Sequence, residues 1–263
     1  MRGGEPFELM SAFKPKLDEV TIVAVSSVAL DATARALTLS CEAVDFARAL
    51  LISDRLPPGG LPANIEWCQV APLKSRHDYS AFLFRELVSC VETSHVLIVQ
   101  WDGYVINPGE WDPAFLQYDY IGAPWPHYRD FTVGNGGFSL RSRKLLEALA
   151  EETLLDGEQE DRAICRRIRP KLESELGLRF ASREVAAQFA FERTERTGRE
   201  FGFHGVFNMP DLLGIKMFMR VMEGIEPNLV HRNERREILA RLWRRGAMVS
   251  SLRLAHRFRR PSL

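Results

Sequence analysis

Apolar positions along this chain fall into two rhythms. Short unbroken apolar runs alternate with stretches in which apolar residues recur every three or four positions. That is the pattern of strands buried on both faces and joined by amphipathic helices. Residues 20–25 (VTIVAV), 49–52, 65–70 and 95–99 (HVLIV) predict four strands. Asp31 is placed to cap a helix running to about residue 48. A second helix is predicted over 80–92, with Phe82, Leu83, Leu87, Val88 and Val91 on one face. PPGGLP, at 57–62, reads as a loop, and the residues before about 16 as an irregular lead-in. The first half is therefore β-α-β-β-α-β, which argues for an α/β sheet with helices packed on it.

The second half is less regular. YDYIG (118–122) predicts a short strand before a turn-rich stretch, and VGNGGFSL (133–140) a glycine-rich segment leading into a helix over 142–151. DGEQED (156–161) is an acidic turn opening a helix over 162–176. Residues 184–191 read as a strand or edge segment and FGFHGVF (201–207) as a loop or short strand, with helices over 211–223 and 234–242. The expected division is 1–207 as one α/β domain, mainly parallel and flanked by helices, and 208–263 as a helical, arginine-rich extension.

Composition changes this picture in one place. The chain has 263 residues, 46% of them hydrophobic and 27% charged, as in a globular domain. Formal net charge is zero, but from His231 to the end ten Arg stand against two Glu, so that segment is about +8 and the remainder about −8. The four cysteines form no CxxC pair and read as reduced thiols of a cytoplasmic protein. Residues 1–17 carry charges and prolines without an apolar core, so they do not read as a signal peptide, and no run is long enough to predict a membrane span.

Four constellations can carry chemistry. Asp102 ends the 95–99 strand, and the carboxyl ends of parallel strands form the ligand crevice of open α/β sheets. Followed by Gly103, it can hold a metal–phosphate group, or simply start a turn. Gly134, Gly136 and Gly137 flank Asn135, which permits close backbone approach to a substrate and equally suits a bulged strand. This run lacks the G-K-[ST] ending of a phosphate loop. Glu160 and Asp161 suit a first helical turn on dipole grounds, or a general base. His204, between two glycines in a tight loop, is a structural residue or a ligand for an ion such as Mn²⁺.

QWDGYVINP, YDYIGAPW, VGNGGFSLRSRKLLE, the ED pair and FGFHG, in this order, resemble a glycosyltransferase-like domain family of largely unassigned function. That family is similar to metal-dependent glycosyltransferases of the GT-A fold. The resemblance implies a GT-A-like α/β sheet and a hexosyltransferase-like enzyme moving a sugar from a nucleotide-diphosphate donor to a saccharide or glycolipid hydroxyl. It further implies inversion, with Asp161 as base and Glu160 as second choice. A divalent metal, Mn²⁺ or Mg²⁺, would be held by Asp102 and His204; Gln100 stands where the first acid of a DxD motif is expected. Ser26, Ser27, Lys74, Arg76, Tyr79, Asp102, Gly103, Asn135, Gly136 and Gly137 would line the donor, and Trp125 and Phe138 the acceptor.

The tail beyond His231 interleaves arginines with Ile238, Leu239, Leu242, Trp243, Leu252, Leu254 and Phe258. Such a helix lies on an anionic membrane surface or packs on an acidic domain. With no recognition motif, nucleic acid is not an expected partner. Two other functions are open: a nucleotide- or carbohydrate-binding module without turnover, and a metal-dependent phosphoryl-transfer or hydrolytic enzyme.

Overall fold

In a computed structural model that describes residues 14–259, the chain forms a six-stranded sheet with helices on both faces, followed by a helical C-terminal unit. The expected lead-in and the first part of the 1–17 segment lie outside the described residues. One compact unit is Phe13–His204, and another contains Gly205–Leu263.

The sheet comprises β1 (Lys16–Val25), β2 (Asp45–Ser53), β3 (Glu66–Gln69), β4 (His95–Val99), β5 (Tyr120–Gly122) and β6 (Phe138–Ser142). Its order is β3-β2-β1-β4-β6-β5, with β6 antiparallel to both neighbours. The class is thus α/β with a mainly parallel central sheet, as the apolar runs predict. Alternation explains the double burial. Val20, Ile22, Ala24, Leu51, Leu97 and Val99 belong to one core with Leu37 of helix α1 (Leu30–Ala43). Val23, Val25, Leu50, Ile52, Val96 and Ile98 belong to the core on the opposite face. There they meet Phe82 and Leu83 of α2 (Arg76–Arg85) and Leu87 of the short α3 (Leu87–Cys90).

Several boundaries differ from expectation for identifiable reasons. Asp31 does not cap α1; Ala29 occupies that position in a left-handed conformation, and Asp31 instead accepts the Gly59 N–H at 2.9 Å. The helix stops at Ala43 because Asp45 already pairs with Lys16 in the sheet. Helix α2 starts early, on a capping box between Ser75 and Asp78. After α4 (Arg143–Ala150), the helix expected over 162–176 is broken into α5 (Glu160–Arg162), a π-turn over Ala163–Arg167 and α6 (Arg169–Leu176). Pro170, which has no N–H to donate, starts that last piece.

The strand expected over 184–191 is a helix, α7 (Arg183–Phe189), capped by Ser182, whose hydroxyl accepts from Val185 N. Ala186 and Phe189 are buried three residues apart, a helical and not a strand interval. Only β7 (Ala190–Phe191) is extended, and it pairs in parallel with β8 (Gly202–Phe203). All four cysteines are free.

The C-terminal unit contains α8 (Met209–Glu223), kinked at Gly214, then α9 (Arg232–Arg244) and α10 (Met248–Arg259). Gly246, with φ 72°, ends α9 and turns the chain back. Ile238, Leu242 and Leu254 are buried, and Ser251 Oγ donates to Leu239 O across the hairpin. No helix among the described residues is long and apolar enough to cross a membrane.

Candidate functional site

Strand β4 is buried along its whole length, so the chain reaches polar surroundings only at its carboxyl end, Gln100 to Asp102. Gly103 N donates to Gln100 O at 3.0 Å and turns the chain. Residues beyond the turn run beside 201–203: Val105 bridges Gly202, Ile106 N donates to Phe201 O at 2.9 Å, and Phe203 N donates to Tyr104 O at 3.3 Å. This zipper brings His204 to the strand end, 102 positions away in sequence from Asp102 by subtraction. His204 Nε2 lies 3.4 Å from Asp102 Oδ1 and 3.3 Å from Gln100 Oε1.

The other face of the imidazole is also set by register. Phe191 pairs with Phe203, so the next residues, Glu192 and His204, are neighbours, with Oε1 and Nδ1 3.5 Å apart. Burial disfavours a charged imidazole, but the Asp102 and Glu192 carboxylates outweigh it and hold His204 well above the ordinary histidine range. Glu192 is held low in turn: burial opposes its ionisation, and the bond and charge of His204 overcome that. Gln100 is oriented by Tyr79. Its Nε2 donates to Tyr79 Oη at 2.9 Å, so the carbonyl end faces His204. Burial pushes the Tyr79 phenol far up and keeps it neutral.

The glycine-rich segment lies between His204 and the acidic pair. Asn135 has φ 63°, and its Oδ1 accepts from Gly137 N at 3.1 Å and Phe138 N at 3.3 Å, a turn that asparagine favours. Its Nδ2 lies 3.1 Å from His204 Nδ1. A Cβ on Gly137 would sit 2.0 Å from His204 Nε2, so the bare backbone is what makes room for the imidazole. On the next residue, Gly136 N donates to Asp161 Oδ2 at 3.3 Å. Asp102, His204 and Asp161 are therefore linked through three consecutive residues, 135–137.

The two acids of the ED pair have different surroundings. Glu160 is buried and turns inward, where Oε1 accepts from Arg141 Nη2 at 3.1 Å and Oε2 from Ser80 Oγ at 3.3 Å. Arg141 has no exposed surface, and its guanidinium also lies 5.3 Å from the Tyr120 ring. Asp161 is half-buried, and its Oδ1 accepts from Arg162 N at 2.7 Å. Burial, with the Glu160 charge second, pushes its carboxyl up to about 6.

The remaining expected residues divide. Ser26 and Ser27 follow β1 at the same end of the sheet. Ser26 Oγ bonds within its own turn, to Val28, and Ser27 Oγ accepts from Leu73 N at 2.8 Å. Lys74 and Arg76 flank the Ser75 cap and are exposed. Trp125 is buried, its ring 2.2 Å from where a Cβ on Gly134 would lie. Phe138, expected at an acceptor surface, is a core residue instead. It has no exposed surface, and its ring lies 5.2 Å from Phe189 and 6.1 Å from Phe201. Sequence reasoning missed Glu192, which stands in no recognised motif, and Arg141, which stands in VGNGGFSLRSRKLLE but was given no role; strand register and helix placement reveal them.

Among the described residues, no three His, Cys, Asp or Glu side chains gather as a metal-holding group. The donor set here is two such residues, Asp102 and His204, completed by the Gln100 amide oxygen. Two oxygens and one imidazole nitrogen, with Gly103 and Gly137 leaving space for the ring, could hold a divalent cation once the ring gives up its proton.

The model of a family described as "Protein of unknown function (DUF5672)" matches residues 63–204, more than half of the chain. No curated protein matches. Solved structures similar to this chain include a glycosyltransferase involved in the glycosylation of the major capsid of PBCV-1, at 12% identity and TM-score 0.46, covering 70% of this chain and 92% of that one. Another is the galactosyltransferase LgtC in complex with donor and acceptor sugar analogues, at 12% identity and TM-score 0.43, covering 78% and 96%. A third is an active-site mutant of LgtC, at 14% identity and TM-score 0.47, covering 77% and 95%.

Proposed function

We propose that this chain, which belongs to the DUF5672 family, is a glycosyltransferase that moves a sugar from a nucleoside-diphosphate donor to a hydroxyl acceptor. The observation that carries the reading is the meeting of Gln100 Oε1 and Asp102 Oδ1 at His204 Nε2, 3.3 and 3.4 Å away, at the carboxyl end of a parallel strand. Asp161 stands one loop residue further on. A site for an anionic leaving group beside a base of raised pKa is what transfer to a hydroxyl requires.

In this reading Asp161 takes the acceptor proton. The acceptor oxygen then bonds the anomeric carbon as the bond to the diphosphate breaks, its electron pair leaving with the diphosphate, and the anomeric configuration inverts. A carboxyl titrating at about 6 is ionised at pH 7 yet is a stronger base than an ordinary aspartate. Asp102, His204 and Gln100 Oε1 would hold a divalent cation, Mn²⁺ or Mg²⁺, which supplies positive charge where the diphosphate departs. Glu192 fixes the imidazole through Nδ1, as a carboxylate orients a histidine ligand, and a cation at Nε2 would displace the proton that Asp102 and Glu192 favour on the ring. Ser26, Ser27, Lys74 and Arg76 offer hydroxyls and positive charge at the same end of the sheet for the nucleotide. Glu160, engaged by Arg141, positions Asp161 and does not share its task.

The acceptor is a saccharide or glycolipid hydroxyl. The test is incubation with a panel of nucleotide sugars, Mn²⁺ and acceptor saccharides, with detection of product and of released free sugar; Asp161→Asn should bind donor without turnover. A second reading, a nucleotide- or carbohydrate-binding module, is favoured by one observation, the amide of Gln100 in place of an acid. Donor binding with neither transfer nor hydrolysis would select it.

A further inference from the structure

Ten large hydrophobic side chains are exposed among the described residues, and four of them fall between positions 243 and 252. Trp243 is 56% exposed, Met248 50%, Val249 64% and Leu252 64%. All four lie at one end of the α9–α10 hairpin, in the last turn of α9 and the first two turns of α10. The hairpin is held behind them by buried Ile238, Leu242 and Leu254, so these four residues are left over after its own core is filled.

Charge follows the same edge. Several arginines of the tail are consumed inside the C-terminal unit: Arg241 and Arg245 pair with Asp211 at 2.6 Å each, and Arg257 donates to backbone carbonyls at the end of α8. Arg232, Arg236, Arg244 and Arg253 are exposed. Arg232 and Arg236 stand in the first turns of α9, at the far end from the tip, whereas Arg244 adjoins Trp243 and Arg253 follows Leu252 on α10. A cavity of about 400 Å³ between α8 and α10 has a mainly basic lining, Lys216, Arg220, Arg253 and Arg257 against the single acid Glu223. An apolar tip with Arg244 and Arg253 beside it complements a surface that is apolar beneath and anionic above.

We infer that the tip of the α9–α10 hairpin is a membrane-docking surface. Trp243, Met248, Val249 and Leu252 enter the headgroup region of an anionic bilayer, and Arg244 and Arg253 meet its phosphates. Guanidinium groups bind phosphate in a planar fork, and tryptophan favours the interfacial layer. The helices lie on the bilayer and do not span it. The inference is independent of the transferase reading and survives the loss of it.

The test is sedimentation of the full chain with phosphatidylcholine vesicles and with vesicles containing phosphatidylglycerol. Binding is expected to the anionic vesicles only, and to weaken with salt. Arg244→Ala with Arg253→Ala should weaken it roughly 30-fold, from about 1 kcal/mol per basic residue. Trp243→Ser with Leu252→Ser should weaken it tenfold or more. Both pairs are exposed, and unchanged melting curves confirm that they fold. Lipids brominated near the headgroup should quench tryptophan emission, and Trp243→Phe should remove that quenching. No binding by the native chain, equal binding to both vesicle types, or unaltered binding by the Trp243/Leu252 variant would overturn the inference. So would light scattering in which the native chain is a dimer that this variant dissociates, since the tip would then be an interface between copies.

Discussion

Gln100 Oε1 lies 3.3 Å from His204 Nε2, and the same amide donates through Nε2 to Tyr79 Oη at 2.9 Å. The protonated imidazole calls for the amide oxygen, and the phenol then accepts from the other end and holds the amide in that orientation. Tyr79→Phe removes the partner of Nε2 and frees the amide to turn. Titration with Mn²⁺, followed by electron paramagnetic resonance, should then show metal affinity reduced by about 10–100-fold, in keeping with the effect of supporting contacts at metal sites. Gln100→Glu should strengthen it by restoring an acid.

Asp161→Asn keeps the shape of the side chain and removes its basicity. Donor affinity by calorimetry should stay within about threefold, while kcat falls by about 10²–10⁴, the usual worth of a positioned base. In the native protein, kcat/KM should fall tenfold per pH unit below about pH 6, because protonation of a carboxyl that titrates there disables it. The sign for stability is opposite. A carboxyl raised above its unfolded value of about 3.9 binds protons more tightly when folded. Its contribution is present below pH 3.9 and lost as pH rises through about 6, and Asp161→Asn should remove that slope from the urea midpoints.

The ion pair of Arg141 with Glu160 has almost no access to water. Breaking it from one side leaves a buried charge, so Arg141→Met should cost about 3–5 kcal/mol in chemical denaturation. Glu160→Gln keeps a hydrogen-bond acceptor for Arg141 and should lose less turnover than Asp161→Asn. Equal losses would assign proton transfer to both acids.

Gly137→Ala tests the close approach directly. Its Cβ would lie 2.0 Å from His204 Nε2, so the ring must move. Stability should fall by about 1–3 kcal/mol, as for an overpacked site. Mn²⁺ affinity should fall with it, while Gly109→Ala, where a Cβ meets nothing, should change neither.

Strands β1, β2 and β4 are legible because their central residues are buried on both faces, whereas β6, which follows the glycines of 134–137, reads only as part of a glycine-rich segment. The HVLIV run needs no partner to be recognised, and Asp102 is read as a site residue because a carboxylate follows an apolar strand. Contacts set by register left no such trace. Glu192 reaches His204 because a two-residue parallel pairing aligns Phe191 with Phe203. Arg141 is buried because β6 turns it toward Glu160 on a helix nineteen positions later. The family resemblance alone places Phe138 at the acceptor, whereas strand alternation directs it into the core. For α7, the apolar residues at its end suggested a strand, and the Ser182 cap with helical spacing of Ala186 and Phe189 prevailed.

The central claim is that Asp102, His204 and Asp161 surround one anionic leaving group. A crystal soaked with Mn²⁺ and a nucleoside diphosphate, measured at the manganese edge, tests it most directly. The account predicts an anomalous peak about 2.0–2.3 Å from Asp102 and His204, with the diphosphate on it and Asp161 facing the terminal phosphate. Manganese or diphosphate bound elsewhere, with these side chains unchanged, would contradict it.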